Sequence, residues 1–372
     1  MKALILAAGS GKRLRPFTLS ESKALFPFLG KPLLLYHIEE FSKHNFNQFI
    51  IVCNRHNYDK IREFKENLPY DIELCIQDPP SGPAHAIYSA RDLLIKEDFF
   101  LIKYCDSMAL QDQIQPILRT FAENPQDAVV TLRHVENPAQ YGIAIFDGER
   151  LVGFVEKPQS DFPSDLAYVG LTILNTRKFF EILDSEDFQS EVVPVEYMLQ
   201  KGHRVSWWIF EGERVDLGYP WDIISMNSLL IRKYGGRRLS TKISHKAQID
   251  DDVYIGPQAR IFDDVTISKY SSIEGVLEKG ASVNNSFIMK GAQVGEFSHL
   301  EYSVIGKNAK LGTRFTAHLE RFTDRRKNKR RDTINLGCYI ADDVILPDFS
   351  KIESGKIVFP DFSKIIDVKK DI

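Results

Sequence analysis

The chain has 372 residues, enough for about two domains, and its 48 basic and 51 acidic residues leave a formal net charge of −3. This near balance gives no reason to expect a general nucleic-acid-binding protein, and no apolar run reaches the length of a membrane span. The four cysteines have no metal-ligand spacing and lie in or beside apolar runs, which predicts reduced core residues of a cytoplasmic protein.

The first 238 residues alternate strand-like and helix-like patterns. The apolar runs typical of buried strands are "ALILAA", "QFIIVC", "IELCIQ" and "FFLIKYC". Amphipathic stretches such as "PLLLYHIEEFSKH" lie between them and indicate helices. The stretch "YGIAIFDGERLVGFVEKP" has the pattern of a hairpin with Asp-Gly near its turn. We therefore predict an α/β domain over residues 1–238, with a doubly wound, mixed but mostly parallel sheet.

The first strand runs straight into the segment "GSGKRLR". Gly9 and Gly11 permit a phosphate to approach the backbone closely, and Arg13 supplies positive charge. A tight turn after a buried strand also explains the glycines. The spacing fits neither the dinucleotide-binding fingerprint nor the P-loop. The segment by itself leaves both interpretations open.

The pattern changes completely after about Arg238. Isoleucines recur at every sixth position from Ile249 to Ile273, with a small or β-branched residue two places before each of them. A period of six fits neither a helix nor a single strand, but it fits short segments that each point one aliphatic side chain into a stacked prism. Residues 239–372 are therefore predicted to form a parallel β-helix.

A basic segment interrupts this repeat. The six-residue register is lost after Gly312 and returns at Ile340, and the stretch between contains "RFTDRRKNKRRD", in which seven of twelve residues are basic. We predict an insertion over residues 313–337 that leaves the β-helix as a mobile, exposed loop. Phe322 is the one aromatic residue of the basic stretch on which a base could stack, so nucleic acid is not an expected partner.

Polar residues follow the predicted strands, and the carboxyl ends of strands in an open α/β sheet form the ligand-binding edge. In chain order they are Gly9, Gly11, Arg13, Lys23, Gln77, Asp106, Lys157 and Asp216. Two carboxylates from distant parts of the sequence could share Mg²⁺, which prefers oxygen ligands and polyphosphates. The cationic side chains could balance several phosphate charges. Phosphoryl-type transfer needs mainly positioning and charge neutralisation, so this set favours that chemistry.

These segments together resemble the sugar-1-phosphate nucleotidylyltransferases. The stretch "LAAGSGKRLRPFTLSESKALFPFLGKPLL" is similar to their signature G-x-G-T-R-L-x-P-x-T followed by P-K and G-K-P, and the later blocks follow in the family's order: "QDPPSGPAHAI", "CDS", "FVEKP", "AYVGLTIL" and "VDLGYPWDIISMN". The resemblance implies a Rossmann-like nucleotidyltransferase domain followed by a left-handed β-helix of hexapeptide repeats. It also implies a reaction in which an NTP and a sugar 1-phosphate give an NDP-sugar and pyrophosphate.

The resemblance further implies roles for individual residues. The nucleotide-binding residues would be Leu6, Ala8, Gly9, Gly11, Gln77 and Gly82. The residues that bind the sugar phosphate would be Gly142, Glu156, Lys157 and Gly170. The catalytic groups would be Arg13, Lys23, Asp106 and Lys157, and the ligands of Mg²⁺ would be Asp106 and Asp216.

Four residues depart from the family pattern, namely Lys12, Ser22, Pro83 and Cys105. Cys105 stands where a glycine normally precedes the metal aspartate, and a side chain at this position could crowd the base or the ribose. Two alternative functions stay open. One is a non-catalytic, nucleotide-sugar-binding regulatory subunit. The other is a bifunctional enzyme, because "TAHLERFTD" and "INLGCYIADDV" resemble the acetyltransferase segment of bifunctional relatives, with His318 as the candidate base.

The expected base follows from Gln77, whose amide both donates and accepts hydrogen bonds. Uracil and thymine present an N3–H donor beside carbonyl acceptors, whereas guanine presents two adjacent donors that a carboxylate would meet better. The predicted substrates are therefore UTP or dTTP with glucose 1-phosphate or a similar sugar, and GTP with mannose 1-phosphate is the alternative. The regular flat faces of a β-helix also predict a homo-oligomer.

Overall fold

The computed structural model describes residues 1–79, 81–184, 193–323, 333–360 and 365–371. Within these ranges, none of the helices combines the length and the apolar character that a membrane crossing needs. The chain folds into an α/β part and a prism of short parallel strands, and the two parts pack against each other.

The α/β part is built on a mixed sheet. The strands of this part are β1 (Ala3–Leu6), β2 (Pro27–Phe28), β3 (Lys31–Pro32), β4 (Gln48–Cys53), β5 (Asp71–Ile76), β6 (Phe99–Tyr104), β7 (Ser107–Ala109), β8 (Ala128–His134), β9 (Gly142–Asp147), β10 (Arg150–Glu156), β11 (Leu166–Asn175), β12 (Val205–Ile209) and β13 (Arg214–Asp216). The order β10-β9-β11-β6-β1-β4-β5 forms the main sheet, with β8 beside β11 and β12 beside β8. Strands β1, β4, β5 and β6 are mutually parallel, and β9 with β10 forms the predicted hairpin.

Helices cover both faces of this sheet. They are α1 (Leu33–Ser42), α2 (Tyr58–Glu66), α3 (Gly82–Tyr88), α4 (Arg91–Leu94), α5 (Ile114–Glu123), α6 (Thr176–Leu183), α7 (Glu196–Gln200) and α8 (Asp222–Tyr234). Alternate residues of a strand point to opposite faces. Leu4 accordingly packs in the cluster formed with α3, α4, α6 and α7, and Ile5 packs in the cluster formed with α1, α2 and α5. The predicted doubly wound architecture is confirmed.

The prism has three parallel sheets. The first contains β14 (Arg237–Arg238), β16 (Tyr254–Ile255), β19 (Ser272–Ile273), β22 (Phe287–Ile288), β25 (Val304–Ile305), β30 (Tyr339–Ile340), β32 (Lys356–Val358) and the antiparallel β33 (Ile365–Asp367). The second contains β15 (Gln248–Ile249), β18 (Thr266–Ile267), β21 (Ser282–Asn284), β24 (His299–Glu301) and β27 (Thr316–Ala317). The third contains β17 (Arg260–Ile261), β20 (Val276–Leu277), β23 (Gln293–Val294), β26 (Lys310–Leu311) and β31 (Ile345–Leu346). A short helix, α9 (Val368–Asp371), ends the described chain.

The six-residue repeat produces this prism. Gln248 pairs with Thr266, so the first coil is three hexads long and each hexad supplies one face. Ile255, Ile261, Ile267 and Ile273 are all buried in the central cluster. Burial of each such side chain is worth roughly 1.5–3 kcal/mol, which accounts for the regular pattern. The predicted parallel β-helix is confirmed, while a boundary between domains at residue 238 stays a prediction.

The predicted insertion over residues 313–337 is wrong at its start. Strand β27 continues the second sheet by pairing with β24, and Phe315 and Ala317 are buried in the central cluster. The repeat was obscured because this hexad has its large side chain first and its small one second, the reverse of the usual order. The described excursion is the hairpin β28 (Glu320–Thr323) with β29 (Thr333–Leu336).

The side chains at the foot of this hairpin are also less exposed than predicted. Phe322 and Ile334 pack against the apolar cluster between the two parts of the chain. The Phe322 ring therefore contributes to the packing between the two parts of the chain. The rest of the basic segment, residues 324–332, lies outside the described residues.

Apolar and polar contacts join the α/β part to the β-helix. Phe28 meets Phe287 edge to face at 5.7 Å between ring centroids, and helix α8 packs in the same cluster. The Lys307 ammonium lies 2.9 Å from the Glu21 carboxylate, and the Asn227 amide donates to the Tyr270 carbonyl at 2.7 Å. These contacts place one side of the β-helix next to the carboxyl ends of the sheet strands.

Candidate active-site cleft

A cleft of about 2160 Å³ opens at the carboxyl ends of the sheet strands. The predicted site residues that line it are Arg13, Asp106, Gly142, Glu156, Lys157, Gly170 and Asp216. The β-helix contributes Tyr270, Asn285 and Tyr302 to the opposite wall. The sequence did not predict that wall, because nothing in a repeat shows which of its faces meets another domain.

The loop after β1 is held from beneath by buried amides. Asn54 donates to the Ala8 carbonyl and Asn57 donates to the Ala7 carbonyl, both at 2.9 Å. Gly11 has a φ of 62° in the left-handed region, which glycine adopts readily. Both asparagines were missed in the sequence, and their position after the strand "QFIIVC" was the available signal.

The two glycines of this loop differ in their surroundings. A Cβ on Gly11 would meet the Thr18 Cγ2 atom at 2.9 Å, whereas a Cβ on Gly9 would meet nothing within 4 Å. The protein itself therefore requires a glycine at position 11 but leaves open space at position 9. Open space beside the backbone is what a close-approaching ligand needs.

Replacement of Gly9 by alanine tests this interpretation. We expect Gly9→Ala to keep the thermal stability of the wild type, because the added methyl meets no protein atom. The same methyl would keep a triphosphate from the backbone, so KM for the NTP should rise about tenfold or more. Steady-state kinetics of Gly9→Ala beside the neighbouring Ser10→Ala would check it. Unchanged KM in Gly9→Ala would show that no substrate approaches this loop.

The two predicted metal ligands lie next to a pair of hydrogen-bonded strands: Asp106 directly precedes β7, and Asp216 is the last residue of β13. Strand β13 pairs antiparallel with β7, so that Asp216 lies opposite Ser107, and the Leu217 amide donates to the Asp106 carbonyl at 2.7 Å. This pairing joins two segments that are far apart in the sequence. Both aspartates line the same cleft.

Each aspartate has a cationic partner. The Lys23 ammonium lies 2.7 Å from the Asp106 carboxylate, and the Arg214 guanidinium lies 2.6 Å from that of Asp216. Burial raises the pKa of Asp106, but the charge and hydrogen bond of Lys23 outweigh burial and hold that pKa below its ordinary value. Asp106 is therefore ionised at neutral pH, as a metal ligand must be.

The predicted sugar-phosphate residues lie together on the hairpin and on β11. Gly142 and Glu156 are paired across β9 and β10, and a Cβ on Gly142 would meet Glu156 Oε2 at 2.9 Å. Lys157 follows directly, with its ammonium 3.2 Å from the Glu156 carboxylate. Gly170 lies in a β-bulge of β11, where a Cβ would meet the Tyr104 ring at 2.8 Å. The structure therefore requires glycine at position 170, where φ is 73°, whereas at position 142 the nearest atoms are side-chain ends of Val193 and Glu156.

Gln77 is more restricted than the sequence suggested. Its side-chain nitrogen donates to the Gly82 carbonyl at 2.8 Å and lies 3.3 Å from His85 Nδ1, and the residue is only 5% exposed. These internal contacts occupy the donor side of the amide. The acceptor oxygen is the part that could meet the N3–H of uracil or thymine. The base-reading role of Gln77 stays a prediction.

An aromatic stack beside Arg13 was missed in the sequence. The Arg13 guanidinium lies over the Tyr219 ring at 5.0 Å from its centroid, and Tyr219 stacks on Trp221 with 4.6 Å between centroids. The Asp222 carboxylate accepts hydrogen bonds from the Gly218 and Tyr219 amides. Asp222 therefore positions the loop that supports Arg13. The motif "DLGYPWD" contained these residues, but their contacts were not visible in it.

The titration of Asp222 gives a pH-dependent prediction. Burial raises its pKa from 3.8 to about 7, with a smaller contribution from the charge of Asp216. The folded chain thus keeps a proton that the unfolded chain releases, so stability should fall as pH rises from about 4 to about 7. The expected loss of unfolding free energy is about 1.4 kcal/mol per pH unit. Asp222→Asn keeps an acceptor oxygen but cannot titrate, so this dependence on pH should disappear in the variant. Denaturant unfolding of both proteins across this pH range would check it; parallel pH profiles would contradict it.

The departures at Cys105 and Ser22 have structural explanations. Cys105 is 3% exposed in the cluster with α1 and does not line the cleft, so its side chain does not crowd a base or ribose bound there. The buried ring of His37 lies 2.9 Å from the Cys105 carbonyl, which fixes the chain next to Asp106. Ser22 accepts a hydrogen bond from Asn57 at 3.3 Å. Lys12 and Pro83 both line the cleft.

Comparison with known proteins agrees with this architecture. Residues 2–233 match the family model of the nucleotidyl transferases, and residues 239–347 match that of the GMPPB C-terminal domain. A bifunctional sugar-1-phosphate nucleotidylyltransferase/acetyltransferase of Sulfurisphaera tokodaii is 31% identical over 84% of this chain and 81% of its own length. A mannose-1-phosphate guanylyltransferase catalytic subunit beta of Danio rerio is 29% identical over 84% of this chain and 88% of its own.

A solved structure shares the fold. The UDP-glucose pyrophosphorylase of Acinetobacter baumanii matches with a TM-score of 0.53 and 21% identity, over 63% of this chain and 95% of that one. At this identity the likeness concerns the fold alone.

Proposed function

The chain belongs to the nucleotidyl transferase family, and we propose that its cleft joins a nucleoside triphosphate to a sugar 1-phosphate in an Mg²⁺-dependent reaction. It is a sugar-1-phosphate nucleotidylyltransferase, and the products are an NDP-sugar and pyrophosphate. The observation that supports the proposed site best is the pairing of β7 with β13, which brings two aspartates, each with its own cation, into one cleft.

The donor set suits a hard divalent cation. Asp106 and Asp216 offer carboxylate oxygens, the ligands that Mg²⁺ prefers, and Mg²⁺ in such sites is completed by phosphate oxygens and water. When bound, the ion would neutralise charge on the triphosphate. Lys23 and Arg214 already balance the two carboxylates, so an incoming Mg²⁺ shares each of them with a protein cation.

The proposed roles of the other residues are supported by their positions: Arg13 and Lys157 line the cleft, and Lys23 contacts Asp106 there. Arg13 and the loop at Gly9 would hold the triphosphate, and Lys157 would hold the sugar phosphate. A phosphate oxygen of the sugar 1-phosphate forms a bond to the α-phosphorus of the NTP, and the bond from that phosphorus to the bridging oxygen breaks to release pyrophosphate. The attacking oxygen is already anionic at neutral pH and needs no base. Lys23 would offset the charge that develops on the departing pyrophosphate.

Pyrophosphate release by the purified protein tests the proposal. We expect release that depends on the NTP, the sugar 1-phosphate and Mg²⁺ together. Binding of both substrates without pyrophosphate release would instead identify a regulatory, nucleotide-sugar-binding subunit. The same assay therefore separates the enzyme from that alternative.

The proposed nucleotide is UTP or dTTP, with glucose 1-phosphate as the sugar. The acceptor oxygen of Gln77 would take the N3–H of the pyrimidine, and an unmatched buried polar pair costs about 1–3 kcal/mol, so at least a tenfold preference over GTP is expected. GTP with mannose 1-phosphate is the second candidate, favoured by the Danio rerio relative, whose name is mannose-1-phosphate guanylyltransferase catalytic subunit beta. Specificity constants for the nucleotides with each sugar phosphate decide between them; equal or better use of GTP would overturn the assignment from Gln77.

A bifunctional enzyme is a further candidate. The name of the Sulfurisphaera tokodaii relative includes an acetyltransferase, and His318 lies 3.8 Å from the Glu301 carboxylate on the β-helix. Turnover of acetyl-CoA by the full chain would test it. Assembly into a homo-oligomer through the β-helix stays a prediction, as do the cytoplasmic location and the absence of a nucleic-acid partner.

A further inference from the structure

Three side chains gather on the outer surface of the β-helix, away from the cleft. His299 and Glu301 are separated by one residue on β24, so they point to the same side of the strand while Leu300 points into the core. His318 follows β27, whose Ala317 pairs with Leu300, which places His318 beside Glu301. The parallel pairing of consecutive coils therefore creates the group from distant positions.

The group has the composition and spacing of a metal site. One ligand atom from each residue lies within 4.8 Å of the others, and among the described residues no other group of three His, Cys, Asp or Glu side chains meets this spacing. The Glu301 carboxylate lies 3.7 Å from the His299 ring nitrogen and 3.8 Å from that of His318. Ligand atoms bound at about 2.0–2.2 Å to a tetrahedral ion lie about 3.3–3.6 Å apart. Small side-chain rotations would therefore bring all three onto one ion.

We propose that His299, Glu301 and His318 bind a divalent transition-metal ion, with zinc as the ion that their chemistry fits best. Two imidazoles and a carboxylate suit zinc, cobalt or nickel, whereas Mg²⁺ prefers oxygen ligands alone. This site is therefore chemically distinct from the Asp106 and Asp216 pair. It is independent of the proposed nucleotidyl transfer, because none of its residues lines the cleft.

The surroundings of the group also fit a bound ion. All three side chains are accessible, with exposed fractions of 37%, 26% and 55% for His299, Glu301 and His318. One oxygen of Glu301 accepts a hydrogen bond from the Leu319 amide at 3.0 Å, which orients the carboxylate as an outer partner does in a metal site. Three protein ligands leave further coordination positions for water or an exogenous ligand.

A bound ion would connect two coils of the β-helix at the foot of the hairpin. His299 and Glu301 belong to one coil and His318 to the next, immediately before β28 begins at Glu320. The ion would hold the chain where it leaves the β-helix, and we expect the metal-bound protein to unfold at a higher temperature than the metal-free protein.

The experiment uses Co²⁺ as a probe on the metal-free full chain, with Mg²⁺ in excess to occupy the carboxylates of the cleft. We expect one Co²⁺ per chain by equilibrium dialysis, visible absorption bands typical of nitrogen and oxygen ligands, and loss of those bands when Zn²⁺ is added. His299→Ala and His318→Ala should each weaken Co²⁺ binding about 100-fold or more. Glu301→Gln keeps an oxygen for the Leu319 amide and should also weaken binding.

The matched control is His245→Ala, which removes an exposed histidine of the same β-helix that lies outside the group. Its affinity for Co²⁺ should equal that of the wild type. The proposal is overturned if the wild type binds no stoichiometric Co²⁺, if the variants of the group bind it as well as the wild type does, or if His245→Ala loses binding equally. Should one variant of the group fail to fold, the remaining two decide the result.

Discussion

Asp106→Asn should lower kcat for pyrophosphate release at least about 1000-fold, and Asp216→Asn should have a similar effect. Asparagine is close in shape to aspartate but lacks the negative charge that binds a divalent cation. The charge stabilisation that the metal supplies is worth several kcal/mol, which corresponds to this loss in rate. The fold should persist, because the hydrogen bond between the Leu217 amide and the Asp106 carbonyl involves only main-chain atoms.

Asp165→Asn is the matched control for this experiment. Asp165 also pairs with a basic side chain, His134, but lies on the surface outside the cleft. Its replacement should leave kcat unchanged. Near-normal turnover in Asp106→Asn or Asp216→Asn would contradict the assignment of these two residues as metal ligands.

Lys23→Met should lower kcat about 100- to 1000-fold, the range observed when one preorganised charge-stabilising group is removed. It should also shift the acid limb of the pH–rate profile to higher pH. Burial raises the pKa of Asp106 and Lys23 opposes it, so without Lys23 the carboxyl stays protonated up to a higher pH. The Mg²⁺ concentration needed for half-maximal activity should not rise, because the competing cation has gone.

A second lysine–aspartate pair provides the control for Lys23. Lys178 lies 2.5 Å from Asp127 outside the cleft, and Lys178→Met should change neither kcat nor the pH–rate profile. The dependence on Mg²⁺ distinguishes the two roles, since loss of Asp106 removes a metal ligand and loss of Lys23 does not. An unmoved acid limb in Lys23→Met would show that Lys23 does not control the ionisation of Asp106.

Local hydrophobic periodicity was enough to predict much of the fold. The apolar run "ALILAA" contains β1, and the run "QFIIVC" coincides with β4 residue for residue. The isoleucines from Ile255 to Ile273 all point into the prism. Such patterns can be recognised without a structure, because each strand or coil buries one face through its own spacing of apolar residues. The hexad at Phe315 and Ala317 escaped detection because a small alanine stands at position 317, where the repeat predicts a large aliphatic side chain.

The sequence likewise predicted residues of the candidate site, but it did not predict which of them contact one another. Asp106 and Asp216 were expected to share a metal, yet only the pairing of β7 with β13 makes them neighbours. A side chain at position 105 could have crowded the base or the ribose, but Cys105 packs in the core cluster with α1 and does not line the cleft. The side-chain nitrogen of Gln77 donates to the Gly82 carbonyl and lies near the His85 ring. Neither composition nor the spacing of residues in the sequence predicts these contacts.

The sequence by itself determined the two architectures, the order of their elements and the chemical types available at the strand ends, because these depend on short-range periodicity and residue chemistry. The tertiary structure decided which of those residues meet. It placed a wall of the β-helix across the cleft, paired each metal-binding candidate with its own cation, and brought His318 beside Glu301. These arrangements depend on long-range strand pairing and domain packing, where the partner of a residue is set by the register of distant segments and not by its neighbours in the chain.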